Sequence, residues 1–398
     1  MLQRRWWIAA LLLVAGLSNY LDRIIISVAL PIIAADLHLG PARMGVLLSA
    51  FFWSYALMQI PVGWLSDRFN LRWFYAVCFA WWSITCGLTG LAGNLAILLI
   101  FRVLLGIGES IHVPGSMKIV SVLFPPEARG LASGLVNSGT RAGLAFGAPL
   151  IAMAVVAFGW RISFYILGAV SLLWLVPWFA CFPRSATTVS RQEPAVPRSG
   201  WRLDRRLLGM SLAHIGYGYY FYLMVTWLPT YFVQSRRLPI EAAGLYTMVP
   251  YLTFTLAEPI GGWIADRLVA IGWDEIFSRK LIITASYLSS ILLIPAGRVE
   301  GVGACVTLLG GASLVGLSSG NIFALVQRIS PGKEVGFSMG VLNLAGNISG
   351  VVAPLVTGLI VERTGSYSAA FAVAVVILLS VVPLYWWMVK TGSGGALY

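Results

Sequence analysis

The sequence predicts an all-α membrane protein of twelve transmembrane helices, arranged as two pseudo-symmetric six-helix bundles. Of its 398 residues, 59% are hydrophobic and 11% are charged, whereas about a quarter of the residues of a typical soluble domain are charged. Apolar segments of spanning length follow one another along the whole chain. In addition, two sequence motifs recur half a chain apart. These three observations indicate two similar halves that lie mostly in lipid.

The apolar segments are predicted to be helices, because backbone amides in hydrocarbon need partners within their own segment. None of the segments alternates with the period of two that a barrel strand shows. In chain order the predicted spans lie at about residues 6–30, 44–64, 73–92, 95–122, 130–157, 161–181, 206–233, 241–267, 280–298, 301–328, 336–361 and 367–389.

The connections between these spans predict the orientation, because Lys and Arg are retained on the cytoplasmic side. If the N-terminus is inside, the cytoplasmic connections hold about three times as many Lys and Arg residues as the opposite side. Both termini are therefore predicted to be cytoplasmic. The net charge of +12 is spread along these loops, which suits an anionic lipid surface and gives no indication of nucleic acid binding.

The N-terminal stretch MLQRRWWIAALLLVAG has the basic and apolar regions of a signal peptide. No convincing cleavage site of small residues follows it, and the apolar run resumes up to Leu30. We therefore expect a retained first helix.

The residue types that support enzyme chemistry or metal binding are scattered. The three histidines form no metal cluster and no nucleophile with its base, and the four cysteines lack the spacing of metal ligands. We expect no metal, no cofactor other than protons as the coupling ion, no disulfide and no enzymatic activity.

The chain contains an internal repeat. GWLSDR at Gly63–Arg68 returns as GWIADR at Gly262–Arg267, and a second matching pair of segments aligns Asn137 with Asn343. Copies with equal orientation and an even number of spans between them indicate parallel repeats, related by an axis along the membrane normal.

The repeat predicts the domain organisation. The N-terminal bundle comprises residues 1–182, a polar and basic cytoplasmic linker comprises 183–205, and the C-terminal bundle comprises 206–398. Two like halves that rock about a shared site would expose that site alternately to each side of the membrane. Glycines on the fifth helix would let neighbouring helices approach closely and slide, although simple bundle packing explains them too: Gly130, Gly134, Gly139, Gly143 and Gly147.

The segment GWLSDRFNLRW resembles the signature loop between the second and third helices of the major facilitator superfamily, where it latches the cytoplasmic gate. Only part of the usual basic cluster is present, since Phe69, Asn70 and Leu71 intervene. Ordinary solvated loop charges are the alternative interpretation. The resemblance implies a gate formed by residues of both copies of the motif: Gly63, Asp67, Arg68, Arg72, Asp266 and Arg267.

Seven charged residues fall within predicted spans: Asp22, Arg23, Arg102, Glu109, Lys118, Arg141 and Glu258. An unpaired charge at a helix centre costs roughly 2.5 to 3.5 kcal/mol on insertion scales, so such residues usually face a cavity or one another. These residues therefore predict a transport pathway.

On the fourth helix, Arg102 and Glu109 are seven residues apart and share one face, with Gly106 between them. We assign Arg102 to the substrate carboxylate, because a guanidinium binds a carboxylate through two parallel hydrogen bonds. Asp22 and Glu109 are assigned to the coupling protons, because desolvation favours a neutral carboxyl and a nearby guanidinium favours an ionised one. Movement of Arg23 between these acids would load or release a proton. A static salt-bridge cluster between the first and fourth helices is the alternative.

Several motifs together resemble the anion:cation symporter family of the same superfamily, which includes bacterial sugar-acid transporters: NYLDR, FFWSYALMQIPVGWLSDR, RVLLGIGES, EARGLASGLVNSG, TWLPTYF and GVLNLAGNISGVVAPLVTG. The resemblance implies proton-coupled movement of organic anions, with the roles just given for the four charged residues of the first and fourth helices. Leu48 and Tyr217 stand where vesicular members carry a histidine and an arginine, which groups the chain with the bacterial importers.

Other polar residues on the inner helices could bind substrate hydroxyls: Asn19, Tyr20, Tyr55, Tyr217, Tyr220, Ser319, Asn321, Asn343 and Asn347. Arg141 is a candidate second anion anchor, but it could equally pair with Glu258 or extend towards the interface. His112, one turn after Glu109, is interpreted as a packing residue in preference to a proton relay.

The prediction is therefore a proton-coupled symporter that imports an organic carboxylate, such as a hexonate, across a bacterial inner membrane as a multi-pass monomer. Its partners are the small anion, protons and the bilayer. A proton-driven drug or metabolite exporter is the alternative, because AGLAFGAPLIA partly resembles the antiporter signature of the fifth helix.

Overall fold

The computed structural model describes residues 2–66, 68–183, 204–330 and 335–390, and every regular element in these ranges is helical. The predicted all-α class is thereby confirmed. The α-helices of the described ranges are α1 (Leu2–Asp36), α2 (Pro41–Ser66), α3 (Leu71–Leu88), α4 (Leu95–Glu109), α5 (His112–Leu123), α6 (Pro126–Leu173), α7 (Leu175–Cys181), α8 (Arg205–Gln234), α9 (Ile240–Ala270), α10 (Glu275–Ser289), α11 (Leu293–Ala296), α12 (Val302–Ala312), α13 (Ser318–Ile329), α14 (Val335–Thr364) and α15 (Tyr367–Met388).

Nine helical stretches of the described residues are long and apolar enough to cross a membrane, judged by length and composition alone. They are Arg4–Asp36, Pro41–Ser66, Leu71–Leu91, Leu95–Leu123, Ala128–Cys181, Glu275–Ala296, Val302–Ile329, Phe337–Thr364 and Tyr367–Met388. Helices α8 and α9, with 30 and 31 residues, lie outside this group.

Two interruptions divide long helical stretches. Within α6, Gly159 has φ of 76° and ψ of 161°, a left-handed conformation that glycine adopts without steric cost. The predicted fourth span is broken directly after Glu109, where α4 ends and α5 begins at His112. Pro114 accounts for this second break, because a proline lacks the N–H that would bond the carbonyl of Ser110 and its ring collides with that carbonyl.

Side-chain caps fix the starts of three helices. Asn70 caps α3, Asn94 caps α4, and Asp274 accepts a hydrogen bond from the Phe277 amide at the start of α10. Such caps satisfy amide groups that have no partner inside the helix. Because of the last cap, α10 begins at Glu275, five residues earlier than the predicted start at residue 280.

The described residues form two compact units. Unit 1 contains those of Met1–Ala195 and of Thr226–Met248, and unit 2 contains those of Val196–Val225 and of Val249–Tyr398. The predicted division into 1–182, 183–205 and 206–398 stays a prediction, and residues 184–203 of its linker lie outside the described ranges.

Within unit 1, α1 packs along α6, α2 packs on α4, and α3 packs on both α4 and α6. Within unit 2, α10 packs on α13, α11 contacts α12 and α15, and α14 contacts α15. The charged residues of the first and fourth predicted spans therefore lie in the helices that form the core of unit 1.

Glycines permit the close contact between α1 and α6. A Cβ added at Gly139 would collide with the main-chain carbonyl of Leu13, and one added at Gly143 would also meet α1. By contrast, the structure places no atom within 4 Å of a Cβ added at two other glycines of the same predicted face, Gly130 and Gly134. The small-residue face predicted on the fifth helix thus contacts α1 over only part of its length.

Candidate functional site

A buried ion pair joins α1 to α4 in unit 1. The Nε of Arg23 lies 3.0 Å from Oε2 of Glu109, and the two side chains are 10% and 0% exposed. The same oxygen accepts a second hydrogen bond of 2.8 Å from Nδ2 of Asn19. The other carboxyl oxygen, Oε1, has no hydrogen-bond partner among the described residues. One oxygen of Glu109 is thus bound by two donors, while the other is able to accept a proton.

Asp22 lies beside this pair without joining it. Its side chain is fully buried, and neither carboxyl oxygen has a hydrogen-bond partner in the described part of the chain. The equally buried thiol of Cys86 on α3 is a close neighbour. An ionised carboxylate in such surroundings is very costly unless it is paired. The position therefore suits a carboxyl that carries a proton in this conformation.

Arg102 is the second buried base of the site. Its side chain is 2% exposed, and Nη1 donates a hydrogen bond of 3.3 Å to the main-chain carbonyl of Asp22. Its Nε has no partner among the described residues. A guanidinium carries five N–H donors in a planar fork, so Arg102 retains donors that can bind an anion.

Aromatic rings surround the guanidinium of Arg23. Its Cζ lies 4.5 Å from the ring centroid of Tyr55, 4.7 Å from that of Phe51 and 5.4 Å from that of Tyr20. The face of an aromatic ring attracts a cation within about 6 Å. These rings stabilise the charge of Arg23 in a region with little access to water.

Close packing of α2 on α4 fixes the rings relative to the charges. A Cβ added at Gly106 would collide with the main-chain carbonyl of Phe51 and with the hydroxyl of Ser54. The Ser54 hydroxyl also donates a hydrogen bond of 2.6 Å to the carbonyl of Val103. This close contact is the structural reason for a glycine at position 106, which lies between Arg102 and Glu109 on α4.

The polar residues that the sequence assigns to substrate hydroxyls have different surroundings. Asn19 donates to Glu109, whereas Tyr20 and Tyr55 lie against Arg23. In unit 2, Tyr220 shares a hydrogen bond of 3.1 Å with Ser313, and Ser319 donates one of 2.7 Å to Glu258.

The remaining members of that set also make contacts within unit 2. Asn321 accepts a hydrogen bond from Arg279, and Asn347 donates one of 2.9 Å to the main-chain carbonyl of Asn343. Tyr217 stacks on His214 with a centroid separation of 5.4 Å. The described contacts of unit 1 thus bring together the four charged residues of α1 and α4, with Asn19, Tyr20 and Tyr55 around them.

Two residues with alternative interpretations have clear positions. His112 is buried, and its Nδ1 lies 2.9 Å from the Tyr75 hydroxyl, which is 3.3 Å from that of Ser116. Arg141 is half-buried on α6. The hydrogen bond between His112 and Tyr75 lies within the core of unit 1, and the interpretation of His112 as a packing residue stays a prediction.

The predicted gate residues of the first motif lie at the end of α2 and the start of α3. Arg68 lies over the Trp64 ring at 3.7 Å, and Arg72 donates a hydrogen bond of 2.7 Å to the Phe179 carbonyl. At Gly63, the structure places no atom within 4 Å of an added Cβ. Asp67 lies outside the described residues.

In the second motif, Asp266 pairs with Arg279 at 2.9 Å. Arg279 also contacts Glu275 at 3.1 Å and Asn321 at 3.2 Å, so one guanidinium joins the ends of three helices. Arg267, the neighbour that the sequence assigns to the gate, is exposed.

Comparison with known proteins gives the context of this geometry. The family described as Major Facilitator Superfamily matches residues 12–315, which is more than half of the chain. The chain belongs to the Major Facilitator Superfamily. A second family, described as Vacuole effluxer Atg22 like, matches residues 305–394. This major facilitator protein is a multi-pass membrane transporter and not an enzyme.

Two relatives of this major facilitator protein carry sugar-acid names. It is 32% identical to the hexuronate transporter of Bacillus subtilis over 377 residues, covering 91% of this chain and 89% of the relative. It is 28% identical to the D-galactonate transporter of Escherichia coli O6:H1 over 403 residues, covering 95% and 94%. The fold is similar to the crystal structure of a bacterial homolog of the human lysosomal transporter Spinster in an inward-facing and occupied conformation. The TM-score is 0.80 at 18% sequence identity, and the superposition covers 98% of this chain and 97% of the other.

Three residues that the sequence did not single out contact the predicted functional residues, two in unit 1 and one in unit 2. Phe51 contacts both buried arginines, Cys86 lies beside Asp22, and Arg279 completes the ion pair of Asp266. Phe51 precedes Tyr55 by one helical turn, so the same helix face offered a signal. The positions of the other two depend on contacts between helices, which their sequence spacing does not reveal.

Proposed function

We propose that this major facilitator protein is a proton-coupled symporter that imports an organic carboxylate by alternating access. The observation that carries the proposal is the buried ion pair of Arg23 with Glu109, with Asp22 and Arg102 beside it. Placing four ionisable side chains in a membrane-spanning core costs free energy. Transport of an anion coupled to transport of protons would give each of these side chains a role.

Arg102 is the proposed binding group for the substrate carboxylate. Only one of its hydrogen bonds is described, a long one to a main-chain carbonyl, and its Nε has no partner among the described residues. A carboxylate would supply two well-placed acceptors to such a guanidinium. The names of the relatives, hexuronate and D-galactonate transporters, support a sugar acid as the class of anion.

Glu109 and Asp22 are the proposed proton carriers. Glu109 is paired with Arg23, which favours its ionised form, whereas Asp22 has no described hydrogen-bond partner, which favours its neutral form. We therefore assign the ionised form to Glu109 and the neutral form to Asp22 in this conformation. A shift of Arg23 from Glu109 towards Asp22 would exchange those states and pass a proton through the site.

We also propose twelve membrane crossings with both termini in the cytoplasm of a bacterium, and a monomeric transporter in the inner membrane. The 54-residue stretch Ala128–Cys181 is roughly 80 Å long as a helix, enough for two crossings of a bilayer core of about 30 Å. Gly159 divides it. Adding α8 and α9, each of 30 residues or more, brings the number of proposed crossings to twelve.

Polar residues around the charges are proposed to recognise substrate hydroxyls. Tyr20 and Tyr55 lie next to Arg23 and carry hydroxyl groups that can both donate and accept. Arg141 remains a proposed second anion anchor. The residues of unit 2 that the sequence assigns to substrate hydroxyls include Ser319, Asn321 and Asn347, which are hydrogen-bonded within that unit.

Uptake into proteoliposomes tests the proposal. Purified protein is reconstituted, an inward proton gradient is imposed, and entry of radiolabelled D-galactonate and D-glucuronate is followed with and without a protonophore. We expect the gradient to accelerate uptake and to drive accumulation above the external concentration. Gradient-driven efflux of lipophilic cations, with no uptake of either acid, would instead identify an exporter.

Glu109→Gln supplies the matched test of the coupling site, because the amide keeps the shape of the carboxyl but does not titrate. The variant should lose gradient-driven accumulation. Glu300→Gln is the control, since Glu300 is exposed outside the helices, and it should transport like the wild type. Retention of full accumulation by Glu109→Gln would remove Glu109 from the mechanism.

A further inference from the structure

Phe51 on α2 contacts both buried arginines of unit 1. Its ring is fully buried, with the Cζ of Arg23 4.7 Å from its centroid and the Cζ of Arg102 5.3 Å from it. It also stacks on Tyr55 at 5.2 Å with an interplanar angle of 25°. One hydrocarbon ring is therefore shared by two cations in the core of a membrane protein.

We propose that Phe51 is a positioning residue that holds Arg102 in place to bind the anion, through the electrostatic attraction of its ring face for the guanidinium. The inference rests on the proposed function, because it assigns to Arg102 the role of binding a carboxylate. Phe51 acts through the arginine and is not itself proposed to touch the substrate.

The backbone of Phe51 is fixed to the helix that carries Arg102. Its main-chain carbonyl packs directly against Gly106, one turn from Arg102 along α4. Ser54, three residues further along α2, donates a hydrogen bond of 2.6 Å to the carbonyl of Val103. The backbone that carries the ring therefore cannot move away from Arg102 without breaking the contact between α2 and α4.

The ring matters more to Arg102 than to Arg23. The charge of Arg23 has an ion pair with Glu109 at 3.0 Å and two further rings, those of Tyr20 and Tyr55. Arg102 has no ion pair among the described residues: the direct contacts of its guanidinium there are one hydrogen bond of 3.3 Å and the ring of Phe51, and the acids Glu109 and Asp22 attract it from a greater distance. Weakening the attraction of that ring should therefore loosen Arg102 first and reduce affinity for the anion.

An aliphatic side chain could fill the same volume, but it could not attract the two guanidinium groups as the face of an aromatic ring does. The π-face of a ring carries partial negative charge, and its attraction for a cation grows when water is excluded. Arg102 and Arg23 repel each other in this low-dielectric region. A single ring that attracts both guanidinium groups reduces the cost of holding them near one another.

Fluorinated phenylalanines test the inference without changing packing. Phenylalanine, its 4-fluoro form, its 3,5-difluoro form and its 3,4,5-trifluoro form are incorporated at position 51, and the KM and kcat of D-galactonate uptake are measured in proteoliposomes. Each fluorine weakens the attraction of the ring for a cation while its size changes little. We expect KM to rise stepwise, by on the order of three- to tenfold for the trifluoro form, with a smaller change in kcat.

Phe79 on α3 is the matched control. It is also fully buried in unit 1, and its described ring contacts are Trp82 and Trp174 with no cation among them. The same fluorinated series at position 79 should leave KM unchanged. Phe51→Leu, which keeps apolar volume and removes the ring, should raise KM at least as much as the trifluoro form.

The outcomes separate this inference from the proposed function. A constant KM along the position-51 series, in a protein whose wild type shows gradient-driven uptake, would reduce Phe51 to a packing residue. Equal shifts in the two series would have the same consequence, because a general effect of fluorine would then explain both. Absence of gradient-driven uptake by the wild type would count against the proposed function itself.

Discussion

The guanidinium of Arg102 donates its described hydrogen bond to the main-chain carbonyl of Asp22, 3.3 Å away, while the carboxyl oxygens of Asp22 accept none from the described residues. A buried acid next to a buried base would ordinarily form an ion pair. Here the base is bound to the backbone of the helix that carries the acid. The base keeps donors for an anion, and the acid can hold a proton without losing a partner.

Asp22→Asn should preserve the fold and the binding of substrate while it abolishes proton coupling. The amide has the shape of a protonated carboxyl, which is the form that the surroundings of Asp22 favour. Exchange of labelled for unlabelled D-galactonate across the vesicle membrane should persist, and accumulation driven by a proton gradient should be lost. A variant that still accumulates substrate under the gradient would show that Asp22 carries no coupling proton.

Arg102→Lys should raise KM for the anion by about ten- to hundredfold, since a charge-assisted hydrogen bond contributes about 1.5 to 3 kcal/mol and an ammonium cannot bind a carboxylate through a planar fork. Uptake kinetics in proteoliposomes measure the change. Arg161→Lys is the control, because Arg161 pairs with Asp36 in an exposed position, with side chains 42% and 40% accessible. That variant should keep the wild-type KM.

The sequence was sufficient to predict the helical class and the set of charged residues that come together in unit 1. Charges are so costly in hydrocarbon that their presence in apolar segments is informative without a structure. The spacing of Arg102 and Glu109 also gave their common face, because both lie on one helix. In the structure both are buried near α1.

The partners of individual polar groups could not be predicted in the same way. Asn19 was assigned to substrate hydroxyls, but its amide donates to Glu109, and this contact depends on the register between α1 and α4. Likewise, Gly139 and Gly134 are equivalent by sequence pattern, and only the structure shows that Gly139 touches Leu13. Contacts between helices depend on rotation and translation of whole helices, which a single sequence does not encode in any local pattern.

Asn19→Ala should impair proton coupling more than substrate affinity. The amide is one of two described donors to Oε2 of Glu109, at 2.8 Å, and its side chain is only 2% exposed. Its removal leaves Arg23 as the remaining described donor to that oxygen. The ratio of gradient-driven uptake to passive exchange should therefore fall, while KM in exchange stays close to the wild-type value. A large rise in KM with an unchanged ratio would restore Asn19 to the substrate site.

Gly139→Ala should destabilise the protein by about 1 to 3 kcal/mol, the usual cost of overpacking a closely packed core. The added methyl group would collide with the main-chain carbonyl of Leu13, which cannot move without displacing α1. Thermal unfolding in detergent, followed by tryptophan fluorescence, should show a lower Tm. Gly134→Ala, where the structure places no atom within 4 Å of the new Cβ, should leave Tm unchanged or raise it, since alanine favours helix over glycine.

Arg279→Gln should disrupt the end of unit 2 at which α9, α10 and α13 meet. Arg279 contacts Asp266 at 2.9 Å, Glu275 at 3.1 Å and Asn321 at 3.2 Å, and its side chain is 12% exposed. Loss of a guanidinium that satisfies two carboxylates leaves both without this partner, so the variant should show reduced kcat and a lower Tm. Arg267→Gln is the control, because it removes an exposed charge next to Asp266 on α9. Exposed charges contribute little to stability, so this variant should keep a Tm close to that of the wild type. If Arg267→Gln were the more damaging substitution, the predicted gate would depend on Arg267, and Arg279 would have only a structural role.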